Sequence, residues 1–186
     1  MKGAPNWKSN KDSVDGMWKI QLLIWLGQTF HIRHLIETGT CHGTTPAVSW
    51  TFFDTVNTIE LHDGLFAAAR ERLKDIKSIR VHHGSSPIVL QGVIESVPRE
   101  PILFWLDAHA SGPQTADDGD PLGKELAIVM RMCPDALIVI DDMADEHLRH
   151  LTERGLDLTG WHREYRTGEI IMYQEGRYQV PPFEAD

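Results

Sequence analysis

Residues 101–142 read PILFWLDAHASGPQTADDGDPLGKELAIVMRMCPDALIVIDD, and this stretch decides the fold. It opens and closes on two short apolar runs, PILFWLD (101–107) and ALIVIDD (136–142), each ending in a carboxylate. Runs this short fall well below the roughly 20 apolar residues that cross a bilayer. They do not alternate apolar with polar residues, as a strand with one wet face does. Near-continuous apolar runs are the pattern of parallel strands covered on both faces. Between them PLGKELAIVMRM (121–132) repeats its apolar residues at helical spacing. Strand, helix, strand is the unit whose crossover makes neighbouring strands parallel.

The same alternation extends upstream. HLIET (34–38), VNTIEL (56–61) and IRVHH (79–83) read as three further strands. Amphipathic segments separate them: one follows Gly43, DGLFAAARERLKD (63–75) is the second, and SPIVLQGVIESV (86–97) is the third. An apolar helical pattern from Ser13 through Met17, Ile20, Leu23 and Ile24 towards Gly27 precedes the first strand, with Asp12 or Ser13 as its N-cap. Downstream, WHREY (161–165), a turn at Thr167-Gly168 and EIIMYQ (169–174) form an antiparallel hairpin. The expected fold class is therefore α/β: a Rossmann-like, doubly wound, mostly parallel sheet with a C-terminal antiparallel hairpin. Residues 1–11 are expected to be a flexible leader, and residues 12–186 a single domain.

Composition narrows the function classes. The chain has 186 residues, 41% hydrophobic and 24% charged, the balance of a globular domain with a real core. The formal net charge is -9, which repels phosphate backbones and anionic headgroups, so neither nucleic acid nor a membrane surface is the expected partner. The two cysteines, Cys41 and Cys133, have no CxxC spacing, which excludes zinc-ribbon and thioredoxin readings. The polar start MKGAPNWKSNKDSVDG lacks the apolar core of a signal peptide, and a cytoplasmic location is expected.

In open parallel sheets, ligands bind beyond the C-terminal ends of the strands, where the strand order reverses. Glu37, Thr38 and Gly39 stand at that end of the first strand, and Glu60 at that of the second. Gly84, Ser85 and Ser86 follow the third strand, Asp107 and His109 the fourth, and Asp141 and Asp142 the fifth. The first turn, ETGTCHGTT (37–45), places glycine at 39 and 43. A dinucleotide fingerprint also needs glycine at 41 and 44, where this chain has Cys41 and Thr44. A cofactor without phosphates fits this loop better than NAD. Glu60 lies where a carboxylate accepts both hydroxyls of an adenosine ribose, and Glu37 where one meets an ammonium group. S-adenosylmethionine offers a ribose diol, an ammonium and a sulfonium, and no phosphate.

The segments ETGTCHGTT, TIELHDGLFAAARERL (58–73), IRVHHGSS (79–86) and ILFWLDAHASG (102–112), followed by T-x(5)-P-x(3)-EL (115–126), are similar to class I S-adenosylmethionine-dependent methyltransferases. The likeness covers roughly residues 33–142 and resembles enzymes found with surface-polysaccharide or secondary-metabolite genes. It implies that Glu37, Thr38, Gly39, Gly43 and Thr44 line the methionine end. It further implies that Glu60 holds the ribose and that Gly84, Ser85 and Ser86 border the adenine, and Asp107 is expected to be both a cofactor-binding and a catalytic residue.

Asp107, Asp141 and Asp142 would converge, because the fourth and fifth strands are neighbours in that sheet order. Like charges so close are costly unless a cation or proton intervenes. Hard oxygen ligands suit Mg²⁺ or another divalent cation, and the arrangement resembles metal-dependent O-methyltransferases of the catechol and macrolide-sugar type. The alternative is a hydrogen-bonded loop cluster without metal. His109, two residues after Asp107, is the candidate general base, its alternative being a structural histidine paired with a carboxylate. The expected activity is methyl transfer to a small hydroxylated acceptor, of sugar or secondary-metabolite type, with a homo-oligomer as a way to complete a thinly built acceptor pocket. The loop ASGPQTADDGD (110–120) would cover the substrate or lie as a surface loop. A metal-independent enzyme and a non-catalytic S-adenosylmethionine-binding module are the competing readings.

Overall fold

The structure, a computed structural model, describes residues 17–108, 121–141, 145–165 and 169–180. The leader, His109, the 110–120 loop, Asp142 and the hairpin turn at Thr167-Gly168 lie outside these residues. Helix α1 (Met17–Thr29) leads into β1 (His34–Thr38), α2 (Thr44–Ser49) and, after a single 3₁₀ turn, β2 (Thr55–Glu60). Then come α3 (Asp63–Leu73), β3 (Ile79–His83), α4 (Ser86–Glu95) and β4 (Ile102–Leu106). The chain continues through α5 (Leu122–Met132), β5 (Leu137–Ile140), α6 (Asp145–Glu153), β6 (Trp161–Tyr165) and β7 (Ile170–Gln174).

The seven strands form one sheet in the order β3-β2-β1-β4-β5-β7-β6. The five strands β1–β5 pair in parallel, and β7 runs antiparallel to both β5 and β6. This is the expected architecture, hairpin included. β1, β4 and β5 are buried at every position, which explains why β4 and β5 are apolar on both faces.

Two cores sandwich the sheet. Leu22, Leu23 and Leu26 of α1 and Leu73 of α3 pack with Leu35, Val56, Leu103, Trp105 and Val139 on one face. Leu90 and Val93 of α4, Leu126 and Val129 of α5 and Leu148 of α6 pack with Ile36, Ile59, Phe104 and Ile138 on the other. In α5 the buried residues Leu122, Leu126 and Val129 recur at helical spacing, so one stripe alone faces the sheet. In α3 the acidic Asp63 starts the helix and Arg70 and Arg72 end it, each charge opposing the local end of the helix dipole. No helix among the described residues is long and apolar enough to cross a membrane.

Candidate active site

The strand order reverses between β1 and β4, with Glu37, Thr38 and Gly39 at the tip of β1 and Asp107 at the tip of β4. Two backbone bonds step the strand tips down the sheet: Asp107 N–H donates to the Thr38 carbonyl at 3.1 Å, and Asp141 N–H to the Leu106 carbonyl at 3.1 Å. Gly39 sits at the seam. Its φ is +88°, and a Cβ placed on it would lie 2.5 Å from the Asp107 carbonyl oxygen. Only glycine permits both the backbone angle and the close approach of the β1 and β4 tips.

Glu37, at the end of β1, is 1% exposed. Thr58 Oγ1 of the neighbouring strand donates to its Oε2 at 2.6 Å. That commits the Thr58 proton, so the Thr40 hydroxyl, 2.5 Å away, donates to Thr58 in turn. Burial pushes the Glu37 carboxyl up to about 7, the Thr58 and Thr45 hydroxyls hold it down in part, and the Glu60 charge adds to the rise. Glu60 is 7% exposed. Its two oxygens accept from backbone donors, Oε2 from Cys41 N–H at 2.7 Å and Oε1 from His62 N–H at 2.9 Å. These bonds fix the carboxylate plane and leave lone pairs for further donors, since an ionised carboxylate has about four acceptor sites. Cys41 reaches Glu60 because its own φ is +50°, a left-handed turn that aims its N–H at the carboxylate. Its side chain is exposed.

Beyond β3, Gly84 has φ +139°, and Ser85 caps α4. The buried Ser86 hydroxyl donates to the carboxylate of Glu125, a buried residue of α5. The P-x(3)-EL motif had marked Glu125 only as part of a likeness, and the structure gives it this partner. Gly43, φ +70°, begins α2 against Leu73, whose Cδ1 would be 3.0 Å from an added Cβ. His82 and His83 face opposite ways, as strand geometry requires. His82 Nε2 bonds Asn57 Oδ1 at 2.9 Å, and burial followed by the Arg80 charge lowers its pKa. His83 stacks on Phe66 with ring centroids 4.5 Å apart and pairs with Asp63 at 2.9 Å.

The fourth and fifth tips differ from expectation in one respect. Asp141 is 4% exposed, and the Lys19 ammonium of α1 lies 2.6 Å from its Oδ1. The same ammonium is 4.0 Å from Glu169, which precedes β7 and is wholly buried. Among the described residues no three His, Cys, Asp or Glu side chains come together as a metal would need. Of the expected ligands, Asp142 lies outside the described residues. Of the described members, Asp141 already has an ammonium in contact with its Oδ1, which leaves that oxygen poorly suited to a divalent cation. Neither Lys19 nor Glu169 was singled out in the sequence, where a lysine in MWKIQLLIWLGQT reads as a side chain reaching out of an apolar helix.

No protein-family model matches the sequence, and no curated protein matches it. Solved structures do. The chain is similar to the O-methyltransferase TomG of Streptomyces achromogenes, involved in tomaymycin synthesis and solved with S-adenosylmethionine, at 16% identity and a TM-score of 0.63, covering 89% of this chain and 83% of that one. It is similar to the O-methyltransferase of Bacillus cereus solved with S-adenosylhomocysteine, at 14% identity and a TM-score of 0.63, covering 92% and 84%. It is also similar to the S-adenosylhomocysteine-bound methyltransferase PaMTH1 of Podospora anserina, at 11% identity and a TM-score of 0.64, covering 90% and 82%. At such identities the likeness establishes the fold. That fold is the class I methyltransferase fold.

Proposed function

We propose that the chain is an S-adenosylmethionine-dependent methyltransferase acting on a hydroxyl of a small acceptor, of sugar or secondary-metabolite type. One observation carries the reading. Two buried carboxylates, Glu37 and Glu60, stand at the tips of adjacent strands, and no described basic side chain lies within ion-pair distance of either. A ligand that brings an ammonium to one and a diol to the other matches both needs. S-adenosylmethionine, when bound, supplies a methyl group already activated on a sulfonium.

The chain's own residues then have limited work. Glu37 meets the ammonium, and the Thr40–Thr58 hydroxyl relay holds its carboxylate in orientation. Glu60, fixed by the Cys41 and His62 amides, accepts the ribose hydroxyls. Gly84, Ser85 and Ser86 border the base, and Ser86 is anchored to α5 through Glu125. Gly39 lets the β4 loop approach, so that Asp107 faces the reacting end. His109 is the proposed base for the acceptor hydroxyl, and the 110–120 loop the proposed cover. The net charge of -9 favours an uncharged or cationic acceptor over a nucleic acid.

Isothermal titration calorimetry of the full chain with S-adenosylhomocysteine and, separately, NAD tests the reading. Micromolar binding of the first with no heat from the second is expected. Binding of NAD alone would refute the cofactor assignment. Turnover with no hydroxylated acceptor, despite tight cofactor binding, would select the non-catalytic module instead.

A further inference from the structure

The second cluster of buried charge lies at the tips of β5 and β7. Asp141 follows β5 and Glu169 precedes β7, and the two strands pair through Ile140 and Ile170, so these carboxylates face the same edge of the sheet. Both are buried, Asp141 at 4% and Glu169 at 0% exposure. Carboxylates buried together need a positive charge or a proton. Here the positive charge comes from the protein. Lys19 extends from the first turns of α1, a helix that the core anchors through Leu22, Leu23 and Leu26. Its Nζ lies 2.6 Å from Asp141 and 4.0 Å from Glu169, and about a fifth of its side chain remains accessible.

We propose that Lys19 is the resident counter-cation of this site and stands in for a divalent metal beside Asp141. A metal approaching Asp141 Oδ1 meets an ammonium already in contact with it, and the two positive charges repel in a poorly solvated place. An ammonium tethered to a helix has properties that a metal lacks. It is not lost to chelators, it needs no loading, and it offers hydrogen-bond donors in place of open coordination positions. With Lys19 present, Asp141 has a counter-charge in contact with its Oδ1 without any bound ion. Lys19 is thus a positioning residue for the methyl transfer proposed above, and the inference rests on that reading for its catalytic part alone.

Mn²⁺ is the probe, because its free aquo ion gives an electron paramagnetic resonance signal that vanishes on binding. Purified full chain is titrated with Mn²⁺ as wild type, Lys19→Met, Lys19→Arg and Lys19→Met/Asp141→Asn. Wild type and Lys19→Arg are expected to take up no Mn²⁺ below millimolar concentration. Lys19→Met, which leaves two buried carboxylates without their cation, is expected to bind at least ~10-fold more tightly. The Asp141→Asn change should remove that gain. Mn²⁺ should also raise the melting temperature of Lys19→Met and leave that of wild type unchanged, a readout that a merely structural lysine would not move.

Micromolar Mn²⁺ binding by wild type, with Lys19 intact, overturns the proposal, and needs no variant to fold. So does a Lys19→Met protein that is folded by circular dichroism and binds Mn²⁺ no better than wild type. Calorimetry with S-adenosylhomocysteine, with and without EDTA, separates this inference from the reading it rests on. Equal affinity in both supports it. Affinity that collapses in EDTA counts against it. A chain that binds no S-adenosylhomocysteine under either condition removes the catalytic role of Lys19 together with the proposed function, whatever the Mn²⁺ result.

Discussion

The tips of β1 and β2 and the tips of β5 and β7 both hold buried carboxylates, and they stabilise them in opposite ways. Glu37 and Glu60 are surrounded by neutral donors, threonine hydroxyls for one and backbone amides for the other. Asp141 and Glu169 share an ammonium. Neutral donors orient a carboxylate without cancelling its charge, and a buried charge left uncancelled pulls its pKa upward, as Glu37 shows. The first pair is therefore short of a cation that a ligand can bring. The second pair already has one. Carboxylates at the same end of the same sheet thus have, on one side, the room for an organic cation that the proposed function requires and, on the other, an ammonium from the chain itself.

The largest effect is expected at the seam between the two sides. Gly39→Ala places a methyl group 2.5 Å from the Asp107 carbonyl oxygen, inside contact distance, and at a φ that alanine resists. Either the β1 and β4 tips separate or the turn changes its backbone angles. The strain alone should cost about 1–3 kcal/mol of stability. Because the turn also carries the Cys41 amide to Glu60, S-adenosylhomocysteine affinity should fall by more than ~100-fold, as expected when a positioning geometry and its charge-assisted bonds fail together. Thermal unfolding and calorimetry on the same sample would show it, and near-wild-type affinity would mean that the seam does not set the site.

Glu37→Gln sharpens the contrast next. The amide keeps an acceptor for Thr58 and removes the charge. Folded Glu37 titrates at about 7 against an ordinary 4.5, so the folded state holds more protons than the unfolded one between those values. Stability from this group is thus present at low pH, falls as pH rises from about 4.5 to about 7, and stays low above that. The glutamine variant escapes this loss. At pH 8 it should be more stable than wild type by on the order of 1–3 kcal/mol, and near pH 4.5 the difference should vanish. Its affinity for S-adenosylhomocysteine should meanwhile drop by roughly 30- to 100-fold, the worth of a buried charge-assisted bond. Glu60→Ala should follow at roughly 10- to 30-fold, with the Cys41 and His62 amides left without their acceptor. Unchanged affinity there would remove the ribose assignment.

How much of this was legible in the sequence follows from how far apart the partners lie. The strands were legible because each is a short local segment, wholly apolar in β4 and β5, and HLIET and IRVHH coincide with β1 and β3 at both ends. Glu37, Gly39 and Glu60 were legible because a strand-to-helix turn and a fixed spacing to the next strand tip are local constraints. Thr58 was not, since within VNTIEL a threonine is an ordinary strand former until the register puts Glu37 opposite it. Lys19 was least visible of all. Its partner Asp141 is remote in sequence, beyond β5, and a carboxylate buried there beside Glu169 has two physical answers. A metal and an ammonium satisfy the same electrostatics, and only the placement of α1 over β4 and β5 distinguishes them.

The smallest effect tests the comparison without any mutation. If the first pair awaits a cation, ligand binding must keep Glu37 ionised, and its pKa in the complex must fall below about 7. Binding then releases a proton wherever the free protein holds one. Affinity for S-adenosylhomocysteine, which keeps the ammonium of S-adenosylmethionine, should rise with pH by roughly five- to tenfold between pH 6 and pH 8 and level off above. Below pH 7 the calorimetric heat should depend on the ionisation enthalpy of the buffer, with the sign of proton release, and Glu37→Gln should abolish that dependence. Proton uptake in place of release would place the ligand's ammonium elsewhere, and the contrast between the two ends of the sheet would lose its functional meaning.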